Sequence, residues 1–288
     1  MPPISHPLAL RVDDQLQKLQ AWETSSSSAH LTVEMLCDGF RGLGDLNDSV
    51  QDLLQSPLTQ QALVRNGSDT WVNEMLDGSL RILDLCETTK DVFKLMKEDV
   101  QDLLSALRRR RVGDSGLHNQ VRDYISSRKK IKKEMDKCLK ELKRMESKFA
   151  FSTLYDKDQH LVVMIGVLRQ VRSITISIFE SLSSFISLST LMTKTTRPSL
   201  ISKWMAGKGR VACEVEMEKM SEAEQLDAYL CNLCVNKSCK DIDTECVKNV
   251  HKGLKAMDVS LQSLENELNC VFRGLIKTRV SVLNILNY

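Results

Sequence analysis

The sequence predicts an all-α protein, an elongated helical bundle built from long antiparallel helices. Composition is the first observation. The chain of 288 residues contains only 5 Pro and 12 Gly, and 5% of its residues are aromatic, which is typical of a helix-rich protein. Hydrophobic residues make up 42% of the chain, which is enough to form a core. The second is that four segments repeat apolar residues at alternating steps of three and four, the spacing of one helix face. The third is that no reliable strand pattern interrupts these segments.

The N-terminal part predicts an amphipathic helix over residues 6–22, followed by a linker in the Ser-rich run 24–28. We therefore divide the chain into an N-terminal amphipathic segment with its Ser-rich linker, residues 1–30, and a single helical-bundle domain, residues 31–288. The apolar stripe of the first helix consists of Leu8, Val12, Leu16 and Leu19.

Residues 31–55 also have a helical pattern, although Gly39, Gly42 and Gly44 weaken its centre. Pro57 then restarts a short helix, because proline suits the first helical turn. This region is expected to form two or three short helices.

From residue 72 the apolar pattern is much stronger, and it predicts one helix of about ten turns packed along its length against a long partner. Nine of the eleven stripe residues are apolar: Val72, Met75, Ser79, Ile82, Cys86, Thr89, Phe93, Met96, Val100, Leu103 and Leu107.

A second stripe covers residues 117–149, and Arg128 alone violates it. The two stripes flank a break in which Gly113 suits a left-handed helix cap, while Asp114 or Ser115 suits the start of the next helix. Two helices that are joined by a short loop usually pack side by side. These two helices are therefore expected to form an antiparallel hairpin.

Residues 158–192 predict a third long helix. The stretch RSITISIF could form a strand, but the length without turn signals favours a helix. The longest uncharged run, residues 181–193, is shorter than the roughly 20 apolar residues that cross a bilayer. A buried core helix is therefore favoured over a transmembrane span.

The C-terminal third predicts a short helix at 199–206, a helix at 214–234, a polar connection at 236–245 and a final long helix. The stripe of that last helix consists of Leu261, Leu264, Leu268, Val271, Leu275, Thr278, Val282 and Ile285.

Charge is nearly balanced over the whole chain, at +2, but residues 108–148 hold fifteen Lys and Arg against six Asp and Glu, a local charge of +9. This region is a solvated face, an interface with an acidic protein, a surface for anionic lipid, or a signal for nuclear import or nucleic acid. Tyr124 is the only aromatic residue among these charges, so nucleic acid is disfavoured. The candidate interaction surface consists of Arg108, Arg109, Arg110, Arg111, Arg128, Lys129, Lys130, Lys132, Lys133, Lys137 and Lys140.

The motifs predict no enzyme and no cofactor: the five His are scattered, and GDSG is interpreted as a turn between helices. Cys231, Cys234, Cys239 and Cys246 have irregular spacing, so packing thiols are favoured over a zinc site or a redox pair. Nine Cys and an N-terminus without an apolar signal core predict an intracellular protein, in the cytoplasm first and otherwise in the nucleus or at a membrane surface. Oligomeric state stays open.

Five stretches together resemble the plant BYPASS-related family: SHPLALRVDDQLQKLQ, PLTQQAL, WVNEMLDGSLRILDLC, LRRRRVGDSGLHNQVRDYISSRKKIKKE and LENELNCVFRGLIKTRVSVLNIL. They cover nearly the whole chain. The resemblance implies a plant intracellular helical protein associated with root and shoot development, without an established enzymatic activity. The implied role is regulation or scaffolding through a protein partner.

Overall fold

The computed structural model describes residues 7–28, 31–65, 70–109, 116–147, 159–187, 220–235 and 244–287. These ranges contain eight α-helices and no strand, which confirms the predicted all-α class. The helices are α1 (Pro7–Ser28), α2 (Val33–Leu54), α3 (Pro57–Arg65), α4 (Thr70–Arg109), α5 (Gly116–Ser147), α6 (Gln159–Ile186), α7 (Glu222–Val235) and α8 (Thr244–Leu286).

The Ser-rich run of α1 is helical, so the prediction of a linker at residues 24–28 is wrong. The hydroxyl of Ser25 donates to the carbonyl of Trp22 at 2.8 Å, and that of Ser26 donates to Glu23 at 3.0 Å. Such bonds to the preceding turn occupy the serine side chains within the helix. The stripe residues Val12, Leu16 and Leu19 are buried in the same core as the later helices.

Helix α2 is continuous over 22 residues, so its glycines do not divide it. They lie where α1 crosses: a Cβ on Gly39 would come within 2.6 Å of the Trp22 ring, and one on Gly42 within 2.8 Å of Leu19. The restart at Pro57 is confirmed, with the Ser56 hydroxyl accepting the Thr59 amide at 3.3 Å. Small residues in α2 therefore serve close packing.

Helices α4 and α5 confirm the predicted antiparallel hairpin. Ser127 hydrogen-bonds Asp99, and Cys138 lies 4.0 Å from the hydroxyl of Thr88, so residue numbers rise along one helix as they fall along the other. The break between the helices, with its predicted caps, lies outside the described residues.

Helix α6 confirms the helical prediction, and the strand alternative for RSITISIF is wrong. Residues Val162–Ile186 are long and apolar enough to cross a membrane by length and composition, and half of the window that meets this criterion is buried inside the protein. A core helix of a soluble protein meets the same criterion. The absence of a transmembrane span thus stays a prediction.

Helix α8 confirms the predicted final long helix; it begins at Thr244, well before Leu261, the first residue of the predicted stripe. It runs antiparallel to α4 and parallel to α2; the parallel pairing is marked by Arg41–Glu267 at 3.2 Å and Gln51–Ser281 at 2.6 Å. Leu261, Leu264, Leu268 and Val271 of the predicted stripe are fully buried.

The remaining C-terminal predictions are only partly covered by the described residues. Helix α7 confirms a helix within 214–234, and its start has a capping box between Ser221 and Glu224. The short helix at 199–206 and most of the connection at 236–245 lie outside the described residues.

Candidate interaction surface on α5

Helix α5 separates its apolar and basic residues onto different sides. Val121, Tyr124, Ile131 and Met135 lie in the core. On the other sides lie the residues that we call the lysine stripe, all five of them exposed. Among the residues described by the structure, no ion pair involves the members of this stripe. The lysine stripe consists of Lys129, Lys130, Lys133, Lys137 and Lys140.

Lys132 belongs to the predicted surface but is engaged within the protein. Its ammonium lies 3.1 Å from the carboxylate of Asp136, which also accepts a hydrogen bond of 2.8 Å from Ser183 of α6. Partial burial raises the pKa of Asp136, but the bonds from Ser183 and Lys132 outweigh it and leave that pKa below its ordinary value. Lys132 therefore contributes less available charge than the lysine stripe.

An open depression of about 700 Å³ runs along one side of α5. Six basic and three acidic residues of this helix line it. The net charge of these nine side chains is +3, which places a positive potential on this surface. Its lining residues are Lys129, Lys132, Lys133, Glu134, Asp136, Lys137, Lys140, Glu141 and Arg144.

Arg128 is not part of the surface, so its inclusion in the predicted set is wrong. The side chain is 1% exposed and forms an ion pair with Asp227 of α7, which is itself fully buried. The guanidinium also donates to the carbonyl of Ile186, through Nε at 3.1 Å and Nη2 at 2.9 Å, and to the carbonyl of Ser187 at 3.0 Å. Arg128 thereby joins α5, α6 and α7, a contact that we call the Arg128 clasp.

The Arg128 clasp satisfies groups that a helix end leaves without partners. The carbonyls of Ile186 and Ser187 belong to the end of α6, where intrahelical donors run out. Burial raises the pKa of the neighbouring Tyr124. Burial alone would lower the pKa of Arg128, but Tyr124 and Asp227 outweigh it and the pKa is raised, so the guanidinium stays charged. The sequence could have indicated that Arg128 is buried, because this residue lies on an apolar stripe. No feature of the sequence identified Asp227 as its partner.

Arg108 and Arg109 of the predicted surface lie apart from the lysine stripe. Arg108 and Arg109 are exposed in the last turn of α4, where cations stabilise the negative end of the helix dipole. The antiparallel pairing places this turn beside the start of α5, roughly 20 Å along the axis from Lys130 at 1.5 Å per residue. Arg110 and Arg111 lie outside the described residues. The described members of the predicted surface thus fall into two parts, one at the end of α4 and one along α5.

The cysteines give no metal centre within the described part of the chain, where no group of three or more His, Cys, Asp or Glu could hold an ion. Cys231 is buried and Cys246 is half-buried. Cys239 and the side chain of Cys234 lie outside the described residues. The zinc and redox interpretations of this run stay untested.

Together these features define a class: an all-α protein of long, mostly antiparallel helices whose lysine-rich surface is carried on one helix of a hairpin. The family model described as Protein BPS1 matches residues 39–285, and the chain belongs to that family, which confirms the resemblance seen in the sequence. No curated protein and no solved structure matches the chain.

Proposed function

We propose that the protein is a non-enzymatic interaction protein in plant root and shoot development, and that the lysine stripe of α5 binds an acidic protein partner in the cytoplasm. The observation that carries the proposal is the set of five lysines without an ion pair among the described residues, close together on one helix. Family membership supports the developmental role through the BYPASS resemblance.

The lysine stripe suits recognition by charge for two reasons. Like charges on adjacent turns of a helix repel one another, and an acidic surface opposite would relieve that repulsion while steering the encounter. The helix beneath is fixed, because its other side is buried against α4 and the Arg128 clasp ties it to α6 and α7. A partner would therefore meet a preorganised row of charges.

The experiment is proximity labelling in plant root cells with a variant in which Lys130, Lys133, Lys137 and Lys140 become Glu. The matched control changes Lys94, Lys252, Lys255 and Lys277 to Glu, because these four are exposed on α4 and α8 and give the same change of net charge. Both variants are first checked for wild-type helix content and solubility. The α5 variant is expected to lose a specific set of labelled proteins with acidic surfaces, and the control variant is expected to keep that set.

Three results would contradict the proposal or a part of it. If both variants label the same proteins as wild type, the lysine stripe is a solvated surface. If both lose the same proteins, net charge rather than this stripe governs the association. Turnover of a small molecule by the purified protein would contradict the non-enzymatic part.

A peripheral binder of anionic membrane is the second candidate, supported by the same lysines, each of which contributes about 1 kcal/mol near acidic lipid. The described residues of α5 place no Trp or Phe beside these lysines to insert below the headgroups. Sedimentation with phosphatidylserine vesicles at two salt concentrations tests it. Salt-sensitive binding that the α5 variant loses and the control keeps would favour the membrane; absent or salt-insensitive binding would remove this candidate.

A further inference from the structure

A cavity of about 90 Å³ lies between α2, α4, α6 and α8, and none of its lining residues belongs to α5. Most of the lining is apolar, with Trp71 and Ile82 from α4, Ile165 from α6 and Leu275 from α8 among the contributors. Four different helices therefore form its wall, a placement typical of ligand sites inside helical bundles.

The charged part of this wall is entirely basic. Arg169, Arg172 and Arg279 line the cavity, and no Asp or Glu is among its described lining residues. Arg279 donates to the carbonyl of Leu76 and, at 2.7 Å, to the hydroxyl of Ser79. These acceptors are neutral, so they position the Arg279 guanidinium beside the apolar space without cancelling its charge.

Close packing against α4 holds Arg172 at the cavity. Its guanidinium donates to the carbonyl of Glu74 at 3.4 Å and crosses α4 at Gly78, where a Cβ would collide with it. A glycine at this position leaves room for the arginine.

Unsatisfied polar atoms give a second, independent observation. Asn47 is 3% exposed and lines the cavity, yet its side-chain amide nitrogen has no hydrogen-bond partner among the described residues. The hydroxyl of Thr278, which lines the same cavity, also has none there. Burying a donor without an acceptor costs free energy, and a ligand oxygen would recover that cost.

From this geometry we propose that the cavity binds a small organic anion, in which a carboxylate or phosphate group is attached to a compact apolar body. Guanidinium groups pair with either anion through parallel N–H donors, and the apolar wall receives the body. The amide of Asn47 donates to the anionic oxygen. A volume of about 90 Å³ holds a few water-sized groups, so the ligand has a short body or extends towards the cavity mouth.

The first test is calorimetric titration of the full chain with benzoate, phenyl phosphate, benzyl alcohol and inorganic phosphate. Benzoate or phenyl phosphate is expected to bind at least tenfold more tightly than benzyl alcohol, which has the same ring without the charge. Whichever of benzoate and phenyl phosphate binds more tightly shows whether the cavity prefers a carboxylate or a phosphate. Equal affinity for benzyl alcohol, equal affinity for inorganic phosphate, or no binding of the two aromatic anions would overturn the proposal.

Substitutions then locate the binding. Arg169→Met is expected to lower the affinity for the tighter-binding anion at least tenfold. Arg273→Met, at an exposed position of α8, is expected to leave that affinity unchanged. Equal effects of the two substitutions would overturn the assignment to this cavity.

Asn47→Asp is the sharpest variant, because it places a carboxylate of nearly the same shape in the wall that Arg169, Arg172 and Arg279 also line. It is expected to raise the melting temperature and to abolish binding of the better anion. A lowered melting temperature, a failure to fold or unchanged affinity would each show that the cavity does not favour a negative charge. None of these residues lies on α5, so this proposal and the proposed function stand or fall separately.

Discussion

Arg128 and Lys129 are neighbours on the same helix and carry the same charge, yet their surroundings are opposite. Arg128 is buried in the clasp with Asp227 and the end of α6, whereas Lys129 is exposed. The difference arises from their helical positions, because Arg128 lies on the apolar stripe and Lys129 lies one position beyond it. In this bundle, the position of a basic residue on its helix decides whether the residue is buried in contacts between helices or exposed to solvent.

Replacing Arg128 is expected to have the largest effect on stability. Arg128→Met leaves the carboxylate of Asp227 buried without the cation of Arg128, a change expected to cost about 3 to 5 kcal/mol. Lys129→Met, the adjacent control, is expected to change the free energy of unfolding by less than about 0.5 kcal/mol. Urea denaturation followed by circular dichroism measures both.

The double variant Arg128→Met, Asp227→Leu sharpens this comparison. It is expected to recover most of the loss, because an apolar pair can replace a buried ion pair at little cost. A single Arg128→Met variant as stable as Lys129→Met would show that the clasp contributes nothing. A double variant no more stable than the single one would show that Arg128 acts mainly through the carbonyls of α6.

Two glycines of α2 extend the comparison to identical residues in different surroundings. Gly39→Ala forces a methyl group against Trp22 and is expected to destabilise by about 1 to 3 kcal/mol. Gly44→Ala meets no atom within 4 Å and is expected to stabilise by about 0.5 to 1 kcal/mol through helix propensity. Melting temperatures of the two variants would move in opposite directions; a shift in the same direction would contradict the close packing of α1 on α2.

Two adjacent serines of α6 give the smallest expected effect. Ser183 donates to Asp136 and helps to lower its pKa, so this bond stabilises the fold at neutral pH, above the unfolded pKa of about 4. The contribution is lost as the pH falls through the still lower folded pKa. Ser183→Ala is expected to cost about 0.5 kcal/mol at pH 7, at the low end because Asp136 is over one third exposed.

Urea unfolding at pH 7 and pH 3 measures this difference. The control Ser184→Ala changes an exposed hydroxyl. Ser183→Ala is expected to have a lower free energy of unfolding than Ser184→Ala at pH 7, and the difference should be smaller at pH 3. If there is no difference at pH 7, or if the difference is larger at pH 3, the role of Asp136 is contradicted.

Local periodicity explains what the sequence predicted well. Helices α4 and α5 and the buried face of α8 follow from regular apolar spacing, which needs no knowledge of distant residues. The interpretations of Gly39 and Arg128 failed because their surroundings depend on partners elsewhere in the chain. Gly39 weakens an isolated helix, but here it makes room for Trp22 of α1.

Dependence on residues that are distant in the chain also limits the prediction of sites. Lys129 and its exposed neighbours could be placed outward from helical spacing alone. Arg128 could be recognised as an exception, but its partner Asp227 lies 99 residues further along the chain. The arginine-lined cavity is formed by four helices, and no spacing within one of them indicates that Asn47 and Thr278 line the same space.

The place of α8 in the bundle bears on how the chain folds during synthesis. This helix packs between partners made much earlier, with Arg41 bonded to Glu267 across 226 positions and Arg279 to Leu76 across 203. Contacts so distant along the chain form late and slow folding. Until the ribosome releases the last residues of α8, the apolar sides of α2 and α4 that it covers stay exposed, and a nascent chain in that state is a natural substrate for chaperones.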